Sequence, residues 1–191
     1  MKKSVKTLVL ITIAAFICEG AVAQLKLPAL NPVANDVKKV IEDHPNHFAN
    51  LKGEKITQTP QTTDFACTFN ANGAEETTIT QYSSKKEIYS WQALMLTTES
   101  FEKAKQKFRS LFNQLNNLVI NTGDLNYKLK GDYEQPDEKK KFASVILSAG
   151  PGDNLKVEIS LQAYEPMEWK VKIIVYDREK EDYEKGSRTE E

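Results

Sequence analysis

Both histidines of the chain fall in one polar stretch, Glu42-Asp43-His44-Pro45-Asn46-His47. Imidazole and carboxylate both bind zinc, and His-x-x-His beside a carboxylate suits the metal when one helix face presents both rings. Pro45 stands between the rings, and proline lacks an N–H and clashes with the preceding turn, so it breaks the helix that would present them. A zinc site also needs three or four protein ligands, and no third one stands at a telling distance. The expectation is a polar helix end with its histidines in water, and no metal or cofactor. Cys67 is the candidate nucleophile, but it alternates with Phe65 and Phe69 on one strand face. A thiol in apolar surroundings is inert, so core packing is expected. Gly150-Pro151-Gly152-Asp153 lacks the GK[ST] ending of a phosphate loop and joins two strands, so it reads as a hairpin turn. No catalytic residue is assigned, and the chain is read as a non-enzyme.

The elements that carry these residues follow from apolar spacing. Val37, Val40 and Ile41 predict a helix over 36–43, capped by Asn35 or Asp36. Strands are expected at 54–58, 65–71, 76–82 and 87–96, with Asn72-Gly73 as a turn. Phe101, Ala104, Phe108, Leu111, Phe112, Leu115, Leu118 and Val119 predict an amphipathic helix that Thr98 caps and Thr122-Gly123-Asp124 ends. Strands then follow at 127–133, 142–148, 155–163 and 169–176. The last two alternate apolar and polar residues cleanly, which predicts an antiparallel sheet with one buried face.

The two halves correspond. Leu51-Lys52-Gly53-Glu54 matches Leu129-Lys130-Gly131-Asp132, Phe65-Ala66-Cys67 matches Phe142-Ala143-Ser144, Gly73 matches Gly150, and Trp91 matches Trp169. The offsets are 78, 77, 77 and 78 residues. The reading is an α+β domain of two tandem helix-plus-four-strand repeats, 35–97 and 98–176, forming one antiparallel sheet of about eight strands. Helices cover one face and the other face is open. Both tryptophans are expected to point inward. The layout, over roughly residues 35–176, resembles the β-lactamase inhibitory proteins and, at greater distance, the saddle of TATA-binding proteins. Both pair α/β repeats and present an open sheet face to a macromolecule. The resemblance implies a binding surface on the sheet and carries over no functional residue.

That face would expose Leu94, Leu96, Lys170, Lys172, Ile174 and Tyr176, an apolar stripe with flanking lysines that suits either a partner or the chain's own Leu25-Lys26-Leu27-Pro28 segment folded over it. Two alternatives are a small-ligand carrier and an enzyme with a site assembled from scattered residues; either would need a deep pocket with convergent polar groups. The N-terminus indicates the compartment. Lys2, Lys3 and Lys6 precede an apolar run from Leu8 to Ile17, and Ala21-Val22-Ala23 supplies the small residues of a cleavage site. The run is about half of the roughly 20 residues a membrane-spanning helix needs. Phe16 and Ile17 are bulky where lipid attachment at Cys18 wants small residues. Residues 1–23 therefore read as a cleaved bacterial signal peptide, 24–34 as an extended lead-in, and 177–191 as a charged, disordered tail. Cleavage removes Lys2, Lys3, Lys6 and Glu19 and takes the formal net charge from −1 to −3. An acidic chain has no bulk electrostatic attraction for nucleic acid. The lone remaining Cys67 cannot form an internal disulfide, so the core must carry stability. The expected product is a periplasmic or secreted protein that meets a protein or cell-envelope partner. Mass spectrometry of the exported protein should find Gln24 at the N-terminus; an acylated Cys18 there would refute the cleavage site.

Overall fold

The computed structural model describes residues 31–83, 88–122, 125–150 and 154–177. The signal peptide, most of the lead-in, Pro151-Gly152-Asp153 and the tail from residue 178 lie outside the described residues.

The first helix, α1, runs over Pro32–Asp43. It begins ahead of the expected start at Asp36, within the stretch assigned to the lead-in. Asn31 is the cap, its side-chain oxygen accepting from the Ala34 N–H at 3.1 Å. Proline in the first turn loses nothing, because that N–H has no partner in a helix. Val33, Ala34, Val37, Val40 and Ile41 form the buried stripe. Asp36 is engaged elsewhere: its carboxylate accepts from the Asn72 N–H at 2.8 Å and ties α1 to the turn at Gly73. Gly73 has φ +72°, a conformation that glycine adopts without strain.

The second helix, α2, spans Phe101–Leu115 and buries Ala104, Phe108, Leu111 and Leu115. Ser100 caps it, accepting from the Lys103 N–H at 3.4 Å, where Thr98 was expected. The expected apolar stripe stops early. Asn116 is extended and Asn117 has φ 69°, conformations that asparagine tolerates better than most residues. Leu118 is half-buried, and Val119 is 46% exposed. The chain has by then entered a separate two-stranded hairpin of β5 (Val119–Thr122) and β6 (Leu125–Lys128).

The main sheet has seven strands: β1 (Lys52–Gln58), β2 (Thr62–Cys67), β3 (Glu76–Tyr82), β4 (Ile88–Thr98), β7 (Phe142–Leu147), β8 (Leu155–Tyr164) and β9 (Glu168–Asp177). They lie in the order β1-β2-β3-β4-β9-β8-β7, and every pair is antiparallel. The eighth position is not a strand. The segment expected over 127–133 pairs partly within the small hairpin and reaches the main sheet through one bridge, Lys130 to Ser148. At Gly131 the backbone presses so closely on β7 that a Cβ would run into the Ile146 carbonyl. Tyr133 then leaves the sheet and packs against Phe108 and Phe112 of α2, with ring centroids 6.0 and 5.1 Å away.

Register explains where the core sits. Phe65, Ile79, Trp91, Val175, Val157 and Leu147 form one cross-strand row. All belong to the core shared with α1 and α2, Phe65 at its margin. Trp169 is buried too, against Phe101 of α2 at 4.9 Å between ring centroids. Trp91 is fully buried, and its indole Nε1 has no hydrogen-bond partner among the described residues. Removing such rings leaves cavities that a close-packed interior fills only in part. Trp91→Ala and Phe108→Ala should each cost about 3–5 kcal/mol in denaturant unfolding, whereas Arg109→Ala, on the exposed side of α2, should stay within about 0.5 kcal/mol.

Candidate functional site

The histidine cluster is a loop lock. Asp43 is 6% exposed. Its carboxylate accepts from Asn46 Nδ2 at 3.2 Å, the Asn50 N–H at 3.0 Å and Asn50 Nδ2 at 2.5 Å. These bonds hold a turn in which His47 and Phe48 both have positive φ, 54° and 57°. A bulky residue adopts that conformation only when its surroundings impose it, and here the turn drives Phe48 fully into the core. The two imidazoles go to different aromatic neighbours, His44 to Phe48 (5.6 Å) and His47 to Tyr89 (5.4 Å). No group of three or more His, Cys, Asp or Glu side chains fit to hold a metal occurs among the described residues. The stretch that looked most like chemistry serves to place a phenylalanine.

Cys67 shares its strand face with Phe65, as expected, but is half-buried at the margin of the core. It ends β2 and, among the described residues, pairs in register only with Lys52 of β1.

The outer face of the sheet carries no helix among the described residues. Its rows read Asp64-Thr80-Ser90-Tyr176-Lys156, then Ala66-Thr78-Gln92-Ile174-Glu158, then Glu76-Leu94-Lys172-Ser160. A shallow depression of about 250 Å³ lies among Ile56, Asp64, Glu76, Thr78, Gln92, Leu94, Lys170 and Lys172. Three of the six surface residues expected from sequence, Leu94, Lys170 and Lys172, therefore line one concavity. Ile174 lies beside it, half-buried and paired with Gln92.

Two of the six are placed differently. The β4–β9 register slips between Leu94 and Leu96, so Leu96 pairs with Val171 and turns to the core side. A bulge puts two residues opposite one and reverses the alternation beyond it. Thr97 takes the outward place, its N–H and hydroxyl both donating to Glu75 at 2.7 Å. Tyr176 lies on the outer row but is 3% exposed, and its hydroxyl donates to Glu158 at 3.1 Å. Its ring is part of the packed structure, not free contact surface. Sequence reading also missed the acidic wall, Asp64 and Glu76, because β2 and β3 lack the clean alternation of β8 and β9.

A second open depression of about 400 Å³ lies on the exposed side of α2, lined by Glu102, Lys105, Gln106, Arg109, Phe112, Asn113, Tyr133 and Gln135. Lys105 pairs with Glu102 at 3.4 Å there. No described helix is long and apolar enough to cross a membrane.

No family model matches the chain, and searches of curated proteins and of solved structures return no match.

The loop lock can be tested directly. Asp43→Ala removes a buried acceptor from three donors and should cost about 2–3 kcal/mol in thermal or urea unfolding. Zinc added to the native protein should leave its melting temperature unchanged; a rise would reinstate the histidines as ligands.

Proposed function

We propose that this is an exported, non-enzymatic binding protein of the bacterial cell envelope that meets a macromolecular partner through the outer face of its sheet. The observation that carries the reading is the depression on that face. It is a concavity floored by strands, with polar and apolar side chains together and no helix over it among the described residues. Among the described residues, Glu76, Thr78, Gln92 and Lys172 make no side-chain hydrogen bond or ion pair. Side chains so placed are available to a partner, and a rigid sheet holds them at fixed spacing. Export is supported by the three-part N-terminus ending in Ala21-Val22-Ala23.

The same proposal takes the domain to be a tandem duplication. In the central β4–β9 pair, Leu94 lies opposite Lys172. These residues are 78 positions apart, the offset that relates Trp91 to Trp169. A two-fold relation between halves would place equivalent residues opposite each other at its axis, as this pair does. Gly53 and Gly131, also equivalent, both lie close against the neighbouring strand's backbone, at Ala66 and Ile146. The second half differs in giving up its first strand at Gly131, which accounts for seven strands where two full units have eight.

Site-directed photo-crosslinking in the exporting cell tests the surface. A photoreactive side chain at Gln92 should give a discrete crosslinked product, and one at the exposed α2 position Lys103 should not. Crosslinks from Lys103 alone would move the binding surface to the helix layer and overturn the proposal.

A further inference from the structure

The depression on the outer face has opposite charges on opposite walls. Asp64 and Glu76 stand on the β2–β3 side, Lys170 and Lys172 stand on β9, and Gln92 and Leu94 of β4 lie between them. Glu76, Leu94 and Lys172 share one cross-strand row, so the two charged residues are two strand spacings, about 10 Å, apart. Neither wall neutralises the other: among the described residues, Glu76 and Lys172 form no ion pair. Their neighbours are held in place. The Thr80 hydroxyl donates to Asp64 Oδ1 at 2.7 Å. Lys170 Nζ lies 3.7 Å from Glu168 and 5.1 Å over the Tyr164 ring. Each wall thus has one anchored charge and one unengaged charge.

We propose that the occupant is a segment of a partner polypeptide bearing a basic and an acidic side chain about 10 Å apart. The basic group lies against Asp64 and Glu76, the acidic group against Lys170 and Lys172, and an apolar side chain between them rests on Leu94 and Ile56. This inference rests on the outer face being the binding surface. It is the charge pattern that selects the partner. A uniformly acidic surface meets repulsion at Asp64 and Glu76, and a uniformly basic one meets it at Lys170 and Lys172; such like-charge contacts exclude wrong partners. The Gln92 amide and the Thr78 hydroxyl offer donors and acceptors to peptide groups in the middle. A volume of about 250 Å³ open to solvent suits protruding side chains better than an engulfed small molecule, whose pockets run to roughly 300–1,000 Å³.

The test exchanges the charges. The probe is an N-acetylated, C-amidated hexapeptide with lysine and glutamate four residues apart and leucine midway between them, titrated into the isotope-labelled exported protein. Residues i, i+2 and i+4 of an extended segment share one face, and the outer two stand about 13 Å apart, close enough for long side chains to lean onto walls about 10 Å apart. Saturable amide shifts are expected at Thr78, Gln92, Leu94 and Lys172. Glu76→Lys and Lys172→Glu should each weaken binding roughly five- to tenfold. The double variant Glu76→Lys/Lys172→Glu should recover part of the lost affinity, because the two unengaged charges are exchanged and the peptide can lie the other way round, while Asp64 and Lys170 keep their sign. Circular dichroism checks that each variant is folded. Tighter binding by Glu76→Lys would indicate an acidic partner, and tighter binding by Lys172→Glu a basic one; either overturns the proposal. So does a double variant as weak as the singles, or an absence of saturable shifts in the unsubstituted protein. Crosslinking from Gln92 without a peptide response keeps the binding surface and rejects the dipolar partner. Failure of both removes the surface as well.

Discussion

Every second residue of β4, β8 and β9 has to be kept from water, and a single layer of helix is present to do it. Trp91, Val175 and Val157 stand side by side across those three strands, and the stripe of α2 through Ala104, Phe108, Leu111 and Leu115 lies in the same core. The remaining architecture serves that cover. Asn31 and Ser100 start the two helices where their apolar stripes can reach the sheet. Asn31 also donates to the Gln114 carbonyl at 3.2 Å, holding the start of α1 against the end of α2. Because the helices cover one side only, the alternate residues form a surface rich in hydroxyl, amide and charged groups. That surface is a by-product of one-sided burial before it is anything else.

Irregular segments complete the core where regular elements end. The turn after α1 would be solvent-facing loop without the Asp43 carboxylate; with it, two left-handed residues become tolerable and Phe48 fills space beneath the strands. Gly131 does comparable work at the far edge. The absence of a side chain lets the backbone lie on β7, and the irregular chain that follows brings Tyr133 onto α2.

The long central elements were legible in the sequence because single periodicities govern them. The inward rows of β8 and β9 can be read residue by residue, and both tryptophans are buried as their spacing requires. What was not legible depends on contacts between distant segments. No local signal separates Leu94 from Leu96 as outward and inward; the bulge exists because β9 is one residue short opposite them. The apolar spacing through Leu118 and Val119 suits a helix as well as Phe112 does, and only the two asparagines argue for a break. The carboxylates of the depression come from β2 and β3, whose burial is graded and not alternating. The lysines could be placed on the outer face from sequence, and their acidic counterparts could not.

The buried indole of Trp91, without a hydrogen-bond partner among the described residues, has an optical consequence. A ring wholly removed from water and set in an apolar core emits at the blue end of the tryptophan range. It lies on the opposite side of the sheet from the depression, and Trp169 is buried in the same core. The tryptophan emission of the protein therefore follows the integrity of the fold and separates unfolding from a change confined to the outer face.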